Sequence, residues 1–134
     1  MASEAGAQMG RSRRSARTAG TRFESSVADY LAAHVDDRIE RRARTGAKDR
    51  GDISGLRHMR GRVVVECKDY GGRLEAAQWI GEADVERGND DALAGLVVAK
   101  RRGTQAPEDQ WVLMTLGELV ALLNGDRDHL EEGA

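Results

Sequence analysis

The sequence of 134 residues has a single cysteine, a single proline, five aromatic residues and no long apolar run. Because Cys67 has no second cysteine to join, an intramolecular disulfide is excluded and a reducing cytoplasm is the expected setting. No stretch approaches the roughly 18 apolar residues that a transmembrane helix needs. The charged N-terminus is not followed by a hydrophobic segment, so we expect no secretory signal.

The length and composition indicate one small domain. A chain of 134 residues is long enough for one hydrophobic core but not for two. Hydrophobic residues make up 40% of the sequence and aromatic residues 4%, and alanine supplies much of the hydrophobic share. We therefore expect a small, aliphatic core.

Charge is unevenly divided between the two halves of the chain. Residues 1–73 contain 16 Lys and Arg against 10 Asp and Glu, whereas residues 74–134 contain 5 against 13. A basic half beside an acidic remainder favours a polyanionic partner approached from one side, although such charge runs are often only solvated faces. Arginine dominates the positive charge, because only three of the 21 basic residues are lysines.

The two ends of the chain are predicted to lie outside a domain formed by residues 21–124. Residues 1–20 are rich in Ala, Gly, Ser and Arg without apolar periodicity, which predicts a flexible basic arm. Apolar residues then recur at helical spacing from about Thr21 to His34, and Thr21 with Glu24 fits a capping box. Residues 125–134 are acidic and are expected to form a frayed tail.

Within the domain, the periodicity predicts a mixed central β-sheet flanked by helices. Strands are expected over 38–42, 52–56, 62–69, 93–99 and 111–115, and further helices over 76–88 and 116–123. Val63, Val64 and Val65 are apolar on both faces of their strand, which is typical of a central strand. The order of elements therefore indicates an α/β domain with about five strands and helices on both faces.

The candidate chemistry begins with the triplet Glu66-Cys67-Lys68 on that central strand. The strand period of two sends Glu66 and Lys68 to the same face. Burying a carboxylate and an ammonium there costs several kcal/mol unless they pair, bind a metal or open onto a cleft. A structural ion pair or a strand end that emerges into solvent would also explain them. About half an Asp/Glu-x-Lys triplet is expected by chance in this composition, so the triplet alone is weak.

Three further residues make the pattern more specific. Asp52 opens the preceding hairpin strand fourteen residues before Glu66, and a hairpin of this length returns it beside Glu66. With a strand carbonyl, the two carboxylates offer the oxygen ligands that Mg²⁺ or Mn²⁺ prefers. Gln78 in the following helix is expected to point back to the site, and Glu24 lies in the first helix. An exposed helical position and the capping box are the alternative explanations for these two residues.

These residues in this order resemble the PD-(D/E)xK nuclease superfamily, and most closely its archaeal-type Holliday junction resolvases, which have relatives in phages. The family pattern is an acidic residue in the first helix, an Asp-opened hairpin, Glu-x-Lys and a helix with Gln. In this chain those positions are Glu24, Asp52, Glu66, Lys68 and Gln78. The resemblance spans residues 20–116 and implies the restriction-endonuclease-like fold.

By this resemblance, Asp52 and Glu66 would hold the catalytic metal, with the strand carbonyl of Cys67 as a further ligand. The cation would polarise a phosphodiester oxygen and lower the pKa of the attacking water. Lys68 would orient that water or stabilise charge in the transition state, a use suited to its compact ammonium. The Cys67 side chain itself is expected to be a small buried hydrophobe.

Two supporting positions and one departure complete the resemblance. Glu24 would serve a second metal or its hydration, and Gln78 would fix the geometry of Lys68 or Glu66. The proline of the superfamily's name is Gly51 in this chain, at a place where members of the superfamily vary.

The resemblance implies DNA as the substrate, and the basic residues around Asp52 and in the arm would neutralise its phosphates. These residues are Arg13, Arg14, Arg17, Arg22, Arg41, Arg42, Arg44, Lys48 and Arg50. No segment resembles a base-reading module, so we expect selectivity for backbone shape rather than for sequence. A homodimer would supply two sites for a symmetrical cut, through the helix with Trp79 and Ile80 or through the last strand and helix.

The leading hypothesis is a Mg²⁺-dependent endonuclease that nicks Holliday junctions in DNA recombination and repair. Its expected location is the cytoplasm of a bacterium or of a phage-infected host cell. Two alternatives remain at this point. One is a nuclease of the same fold that acts on a flap, a replication fork or a plain duplex. The other is a non-catalytic DNA-binding protein that retains the fold.

Overall fold

A computed structural model describes residues 12–42 and 50–131 of the chain. The helices are α1 (Arg13–His34), α2 (Ala76–Asn89), α3 (Leu116–Asn124) and the short α4 (Asp128–Glu131), with a 3-10 turn at Pro107–Asp109. The strands are β1 (Glu40–Arg41), β2 (Ile53–Ser54), β3 (Arg57–His58), β4 (Gly61–Lys68), β5 (Ala94–Ala99) and β6 (Trp111–Leu113). Most of the predicted arm, together with Arg44 and Lys48, lies outside the described residues.

The strands form a mixed sheet in the order β1-β2-β4-β5-β6, and β3 pairs with β4 beside this path. Strands β4 and β5 are parallel, whereas the other described pairs are antiparallel. The predicted α/β domain with a mixed sheet of about five to six strands and flanking helices is thereby confirmed. Strand β4 is central, as the three valines indicated, because it pairs with three neighbours.

The sheet is covered on both faces, and the side chains along its strands point alternately into two apolar clusters. Val65 and Cys67 of β4 pack with Phe23 and Val27 of α1 on one face. On the other face, β5 residues pack with Trp79 and Ala83 of α2. Trp79 is only 1% exposed, so it belongs to the core. Because neighbouring residues of a strand point to opposite faces, residues 64, 66 and 68 of β4 face α2.

Helix α1 begins eight residues earlier than predicted. Ser12 caps it, since the Ser12 hydroxyl accepts a hydrogen bond of 3.0 Å from the Ser15 backbone N–H. Thr21 and Glu24 consequently lie inside the helix, and the predicted capping box is wrong. The first turns lack buried residues, but alanine and arginine favour the helix and extend it from the turns that Phe23 anchors. Within the described part of the chain, no helix is long and apolar enough to span a bilayer.

The hairpin and the tail also differ from expectation. The strand predicted over 52–56 is interrupted at Gly55, where φ is 89° and an added Cβ would lie 2.7 Å from the Arg38 carbonyl oxygen, so that only glycine fits. The chain therefore leaves β2 and pairs again as β3. In the predicted frayed tail, residues 128–131 form α4, and Arg127 just before it donates a hydrogen bond of 2.8 Å to the Leu93 carbonyl.

Candidate active site at the end of strand β4

The end of β4 carries the two charged residues that the sequence singled out. Glu66 is 3% exposed and Lys68 is half-buried, and both lie on the face that α2 covers. The Lys68 Nζ atom is 3.7 Å from Glu66 Oε1. The strand period thus brings the carboxylate and the ammonium together on one face.

Asp52 reaches the same strand from the neighbouring hairpin arm. Ile53 is opposite Val65 in the antiparallel β2–β4 pair, and Asp52 directly precedes this pair at the start of the hairpin arm. The Asp52 backbone N–H donates to the Val65 carbonyl at 2.9 Å, and Asp52 Oδ2 accepts from the Cys67 N–H at 2.8 Å. Asp52 is only 4% exposed. The hairpin therefore returns Asp52 to β4, where it bonds to the backbone of the two residues that flank Glu66.

The backbone before Asp52 depends on Gly51. Its φ is 94°, and a Cβ at this position would lie 2.9 Å from Val64 Cγ1 and 3.0 Å from the Val65 carbonyl oxygen. Proline is excluded here because its ring holds φ near −65°. The chain thus enters the site in a glycine conformation directly before Asp52, which bonds to β4.

Glu82 of α2 is part of the site, although sequence reasoning missed it. Its Oε1 atom is 2.8 Å from Lys68 Nζ, closer than the oxygen of Glu66. Glu82 lies one helical turn after Gln78, and the buried Trp79 and Ala83 flank that turn. A polar residue at this spacing on the helix that packs against β4 was the available signal.

The two supporting residues have no described contact with Lys68. Gln78 is exposed near the start of α2, and the position expected for it against Lys68 is held by Glu82. Glu24 projects from α1, which covers the opposite face of the sheet, and its Oε2 accepts from Arg41 Nε at 3.0 Å. The structure therefore gathers Asp52, Glu66 and Lys68, and it gives Glu24 a separate ion pair.

The environment of Lys68 favours its charged form. Burial lowers the pKa of Lys68, but the hydrogen bond to Glu82 and the charges of Glu66 and Glu82 outweigh burial and raise the pKa above its ordinary value of 10.5. The side chain is therefore an ammonium at neutral pH, as a residue that stabilises negative charge must be.

The environment of Cys67, in contrast, favours the neutral form of its thiol. Burial raises the pKa of the Cys67 thiol well above 9.0, and the negative charges of Asp52, Glu24 and Glu66 raise it further. The thiol is 8% exposed within the cluster under α1, which confirms the expected buried hydrophobe. The three carboxylates thus surround Cys67 from both faces of the sheet, and a soft thiolate ligand is not available there.

The donors at the end of β4 suit a hard divalent cation. Within residues 12–42 and 50–131, no three His, Cys, Asp or Glu side chains are grouped in a way that could hold a metal ion. Mg²⁺, however, is usually bound by one or two carboxylates and completes its shell with water and substrate phosphates. Because the N–H of Cys67 faces Asp52, its carbonyl faces the same side. Asp52, Glu66 and this carbonyl are the oxygens that could hold such an ion.

The predicted basic residues are spread over several surfaces. Arg13, Arg14, Arg17 and Arg22 lie on the exposed first half of α1 rather than on a flexible arm. Arg41 pairs with Glu24, and the Arg42 N–H donates to the Asp52 carbonyl at 2.7 Å. Arg50 is exposed just before Gly51.

Comparisons with known proteins leave the site to be judged on its own geometry. No family model, no curated protein sequence and no solved structure matches this chain significantly.

Proposed function

We propose that the protein is a Mg²⁺-dependent DNA endonuclease with a restriction-endonuclease-like fold, and that it nicks four-way junctions. The observation that carries this proposal is the convergence of Asp52, Glu66 and Lys68 at the end of β4. Asp52 is bonded to the backbone between the other two residues, and Lys68 is paired with Glu66. The α/β architecture and the order of these residues along the chain agree with the resemblance to the PD-(D/E)xK superfamily.

In this proposal Asp52 and Glu66 hold Mn²⁺ or Mg²⁺, which supplies Lewis-acid activation of the phosphodiester and of the attacking water. The Cys67 N–H keeps the Asp52 carboxylate against β4. Glu82 holds the Lys68 ammonium by a hydrogen bond of 2.8 Å, so that it stays charged and oriented. Lys68 then stabilises the negative charge that develops on the scissile phosphate.

A junction is cut on two strands, so the proposal includes a homodimer with two sites. The observation that supports a homodimer is an exposed apolar surface on the edge strand β6 and on α3. Val112, Leu116 and Leu123 are 57%, 76% and 66% exposed there. An edge strand with apolar neighbours is a ready surface for a second chain. The last strand and helix are therefore the better of the two dimer surfaces expected from the sequence, because Trp79 on the other is buried.

The test is cleavage of a labelled synthetic four-way junction, with a flap, a fork and a plain duplex of matched sequence as competing substrates. We expect symmetrical nicks in the junction that require Mg²⁺ or Mn²⁺. Glu66→Gln and Lys68→Ala should each lower the cleavage rate by about a thousandfold or more while junction binding persists.

The matched control is Glu86→Gln, which changes another buried carboxylate of α2, one helical turn beyond Glu82. It should cut at nearly the wild-type rate. Cleavage by Glu66→Gln and Lys68→Ala at that same rate would reject the active site. A preference for duplex, flap or fork would keep the nuclease and replace its substrate, whereas binding without any cutting would leave a non-catalytic DNA-binding protein.

A further inference from the structure

A large groove opens beside the end of β4, on the side of the sheet that α1 covers. Its walls are the first half of α1, the segment that follows β4 and the loop that follows β5. The groove has a volume of about 1530 Å³. Pockets for small ligands usually measure about 300–1,000 Å³, so this space is better matched to part of a macromolecule.

The charge on the walls is strongly positive. Arg22, Arg73, Lys100 and Arg102 line the groove, against Asp69 as its acidic side chain. The Asp69 carboxylate accepts a hydrogen bond from the Gly71 N–H, so it turns back to its own segment. Four basic groups against one acidic group attract an anionic polymer.

The wall after β5 is held in place by its own polar contacts. The Lys100 ammonium donates to the Arg101 carbonyl at 2.6 Å and also to the Thr104 carbonyl. Gln110 accepts from the Arg101 N–H at 2.6 Å and donates to the Thr104 carbonyl at 3.1 Å. Arg102 is therefore presented by an ordered loop, and Lys100 serves mainly to shape that loop.

Arg102 and Arg73 lie on adjoining walls. Arg102 Nε donates to the Gly71 carbonyl at 3.4 Å, which links the two loops. Arg73 follows two residues later and is 64% exposed at its side chain. Arg22 faces them from α1, where the neighbouring groove residues Ala19 and Ser26 are small. Three guanidinium groups from three segments thus border one open channel.

The aromatic groups at the groove are engaged with other side chains. The Tyr70 ring lies 5.1 Å from the Trp79 ring, and the Arg73 guanidinium lies 5.4 Å from the Tyr70 centroid. Phe23 is buried in the core. Because Tyr70 already contacts Trp79 and Arg73, the groove offers guanidinium groups for phosphates more readily than a free ring for bases.

The groove is continuous with the catalytic strand. Asp69 and Tyr70 directly follow Lys68, and the Lys68 carbonyl accepts from the Lys100 N–H at 2.9 Å. We propose that the groove holds the phosphodiester backbone of DNA, with Arg22, Arg73 and Arg102 contacting its phosphates. This inference rests on the proposed nuclease function: the groove borders the segment that directly follows Lys68, while the Lys68 side chain itself lies on the face that α2 covers.

This path for DNA differs from the one that the sequence favoured, which followed the basic residues around Asp52 and in the arm. Two of the four basic groups come from the acidic half of the chain, whereas Arg41 and Arg42 lie beside Glu24 and the Asp52 carbonyl. The binding surface is thus defined by the ends of β4 and β5 rather than by the basic half of the sequence.

The test is anisotropy of a fluorescent four-way junction and of a matched duplex, with the full chain in Ca²⁺ and without Mg²⁺. The groove variant combines Arg22→Gln, Arg73→Gln and Arg102→Gln. The matched control combines Arg38→Gln, Arg57→Gln and Arg60→Gln, three exposed arginines outside the groove with the same total charge. Both are assayed from 50 to 200 mM salt, roughly the range over which counterion release is visible.

We expect the groove variant to bind at least about tenfold more weakly, and its slope of log affinity against log salt to fall by about 2.7, or about 0.9 for each lost phosphate contact. The control variant should change the affinity less than about threefold. Equal losses in the two variants, wild-type binding by the groove variant or no binding by the wild type would each overturn the inference.

The outcomes separate the groove from the catalytic proposal. Loss of binding in the groove variant, with a wild type that binds but never cuts, supports the groove and rejects the nuclease. Cutting by the wild type together with undiminished binding by the groove variant rejects the groove alone. If the triple variant fails to fold by circular dichroism, Arg22→Gln and Arg102→Gln are measured singly, and each should lower the slope by about 0.9.

Discussion

Two charged clusters lie at opposite ends of the parallel strand pair, and their balance of charge differs. At the end of β4, the Lys68 ammonium pairs with two carboxylates, those of Glu66 and Glu82. Near the start of β5, the Glu118 carboxylate pairs with two guanidinium groups, those of Arg87 and Arg127. The first cluster has a surplus of carboxylate, whereas the second is balanced, because Arg87 also pairs with Asp84 at 2.9 Å.

The second cluster is also tied to the backbone. Glu118 Oε1 accepts from the Gly95 N–H at 3.0 Å, and Arg127 donates to both Glu118 and the Leu93 carbonyl. These bonds join α3 and the start of α4 to β5 and thereby stabilise the fold. The surplus carboxylate near Lys68 instead favours an added cation. Ion pairs of similar length therefore lie in a cluster bonded to the backbone at one end of the strand pair and in the proposed active site at the other.

The largest expected effect is on the structural cluster. Arg127→Met should lower the free energy of unfolding by about 3 kcal/mol, because it leaves the mostly buried Glu118 carboxylate without its closest partner. Urea denaturation measures the loss, and Arg57→Met on an exposed strand is the control. Cleavage per folded molecule should stay at the wild-type value. A loss of cleavage without a loss of stability would reverse the assignment of the two clusters.

The substitution Gly51→Ala should lower both the stability of the fold and the affinity for Mg²⁺ at the end of β4. Gly51→Ala places a Cβ against Val64 and the Val65 carbonyl at a positive φ, so we expect it to lower the free energy of unfolding by about 2 kcal/mol. Because Gly51 sets the entry of Asp52, Mg²⁺ affinity measured by calorimetry should fall as well. Gly81→Ala, where a Cβ meets nothing within 4 Å, is the matched control. Unchanged Mg²⁺ affinity would show that Asp52 holds no metal.

Glu82→Gln should lower the cleavage rate and should have only a slight effect on the stability of the fold. Its loss leaves Lys68 with Glu66 at 3.7 Å, so the ammonium remains charged but is less well oriented. We expect kcat to fall about tenfold with KM nearly unchanged, as for a residue that acts through another. Glu82→Asp should fail to rescue the rate fully, because its side chain is shorter. Glu108→Gln on the exposed 3-10 turn is the control, and equal rates in both variants would remove Glu82 from the site.

The smallest effect concerns the other face of β4. Because the pKa of Cys67 is raised, the folded protein keeps its proton at a pH where the unfolded thiol has lost it. The folded state then binds more protons, so stability should fall as the pH rises above about 8.5, the pKa of a free thiol. Cys67→Ala should reduce this fall between pH 8 and 10 in urea titrations. A fast reaction of native Cys67 with a thiol reagent at pH 8 would contradict the buried, neutral thiol.

Much of the arrangement at the end of β4 could be predicted from the sequence because it is local. The period of two along β4 sets Glu66 and Lys68 on one face, and the hairpin returns Asp52 to β4. The helix start could not be predicted, since turns without a buried side chain carry no apolar period. Gly55 likewise interrupts a strand because of its contact with the distant Arg38 carbonyl.

The sequence by itself therefore determined the α/β layering and the side-by-side charges on β4, because strand and helix periods are properties of consecutive residues. Tertiary structure decided which carboxylate lies closest to Lys68, since Glu82 reaches it through the packing of α2 on the sheet. It also decided that Glu24 lies on the other face, and that basic residues from both halves of the chain border one groove. Those arrangements depend on how separate elements pack against one another, and the residue pattern within one element does not specify this packing.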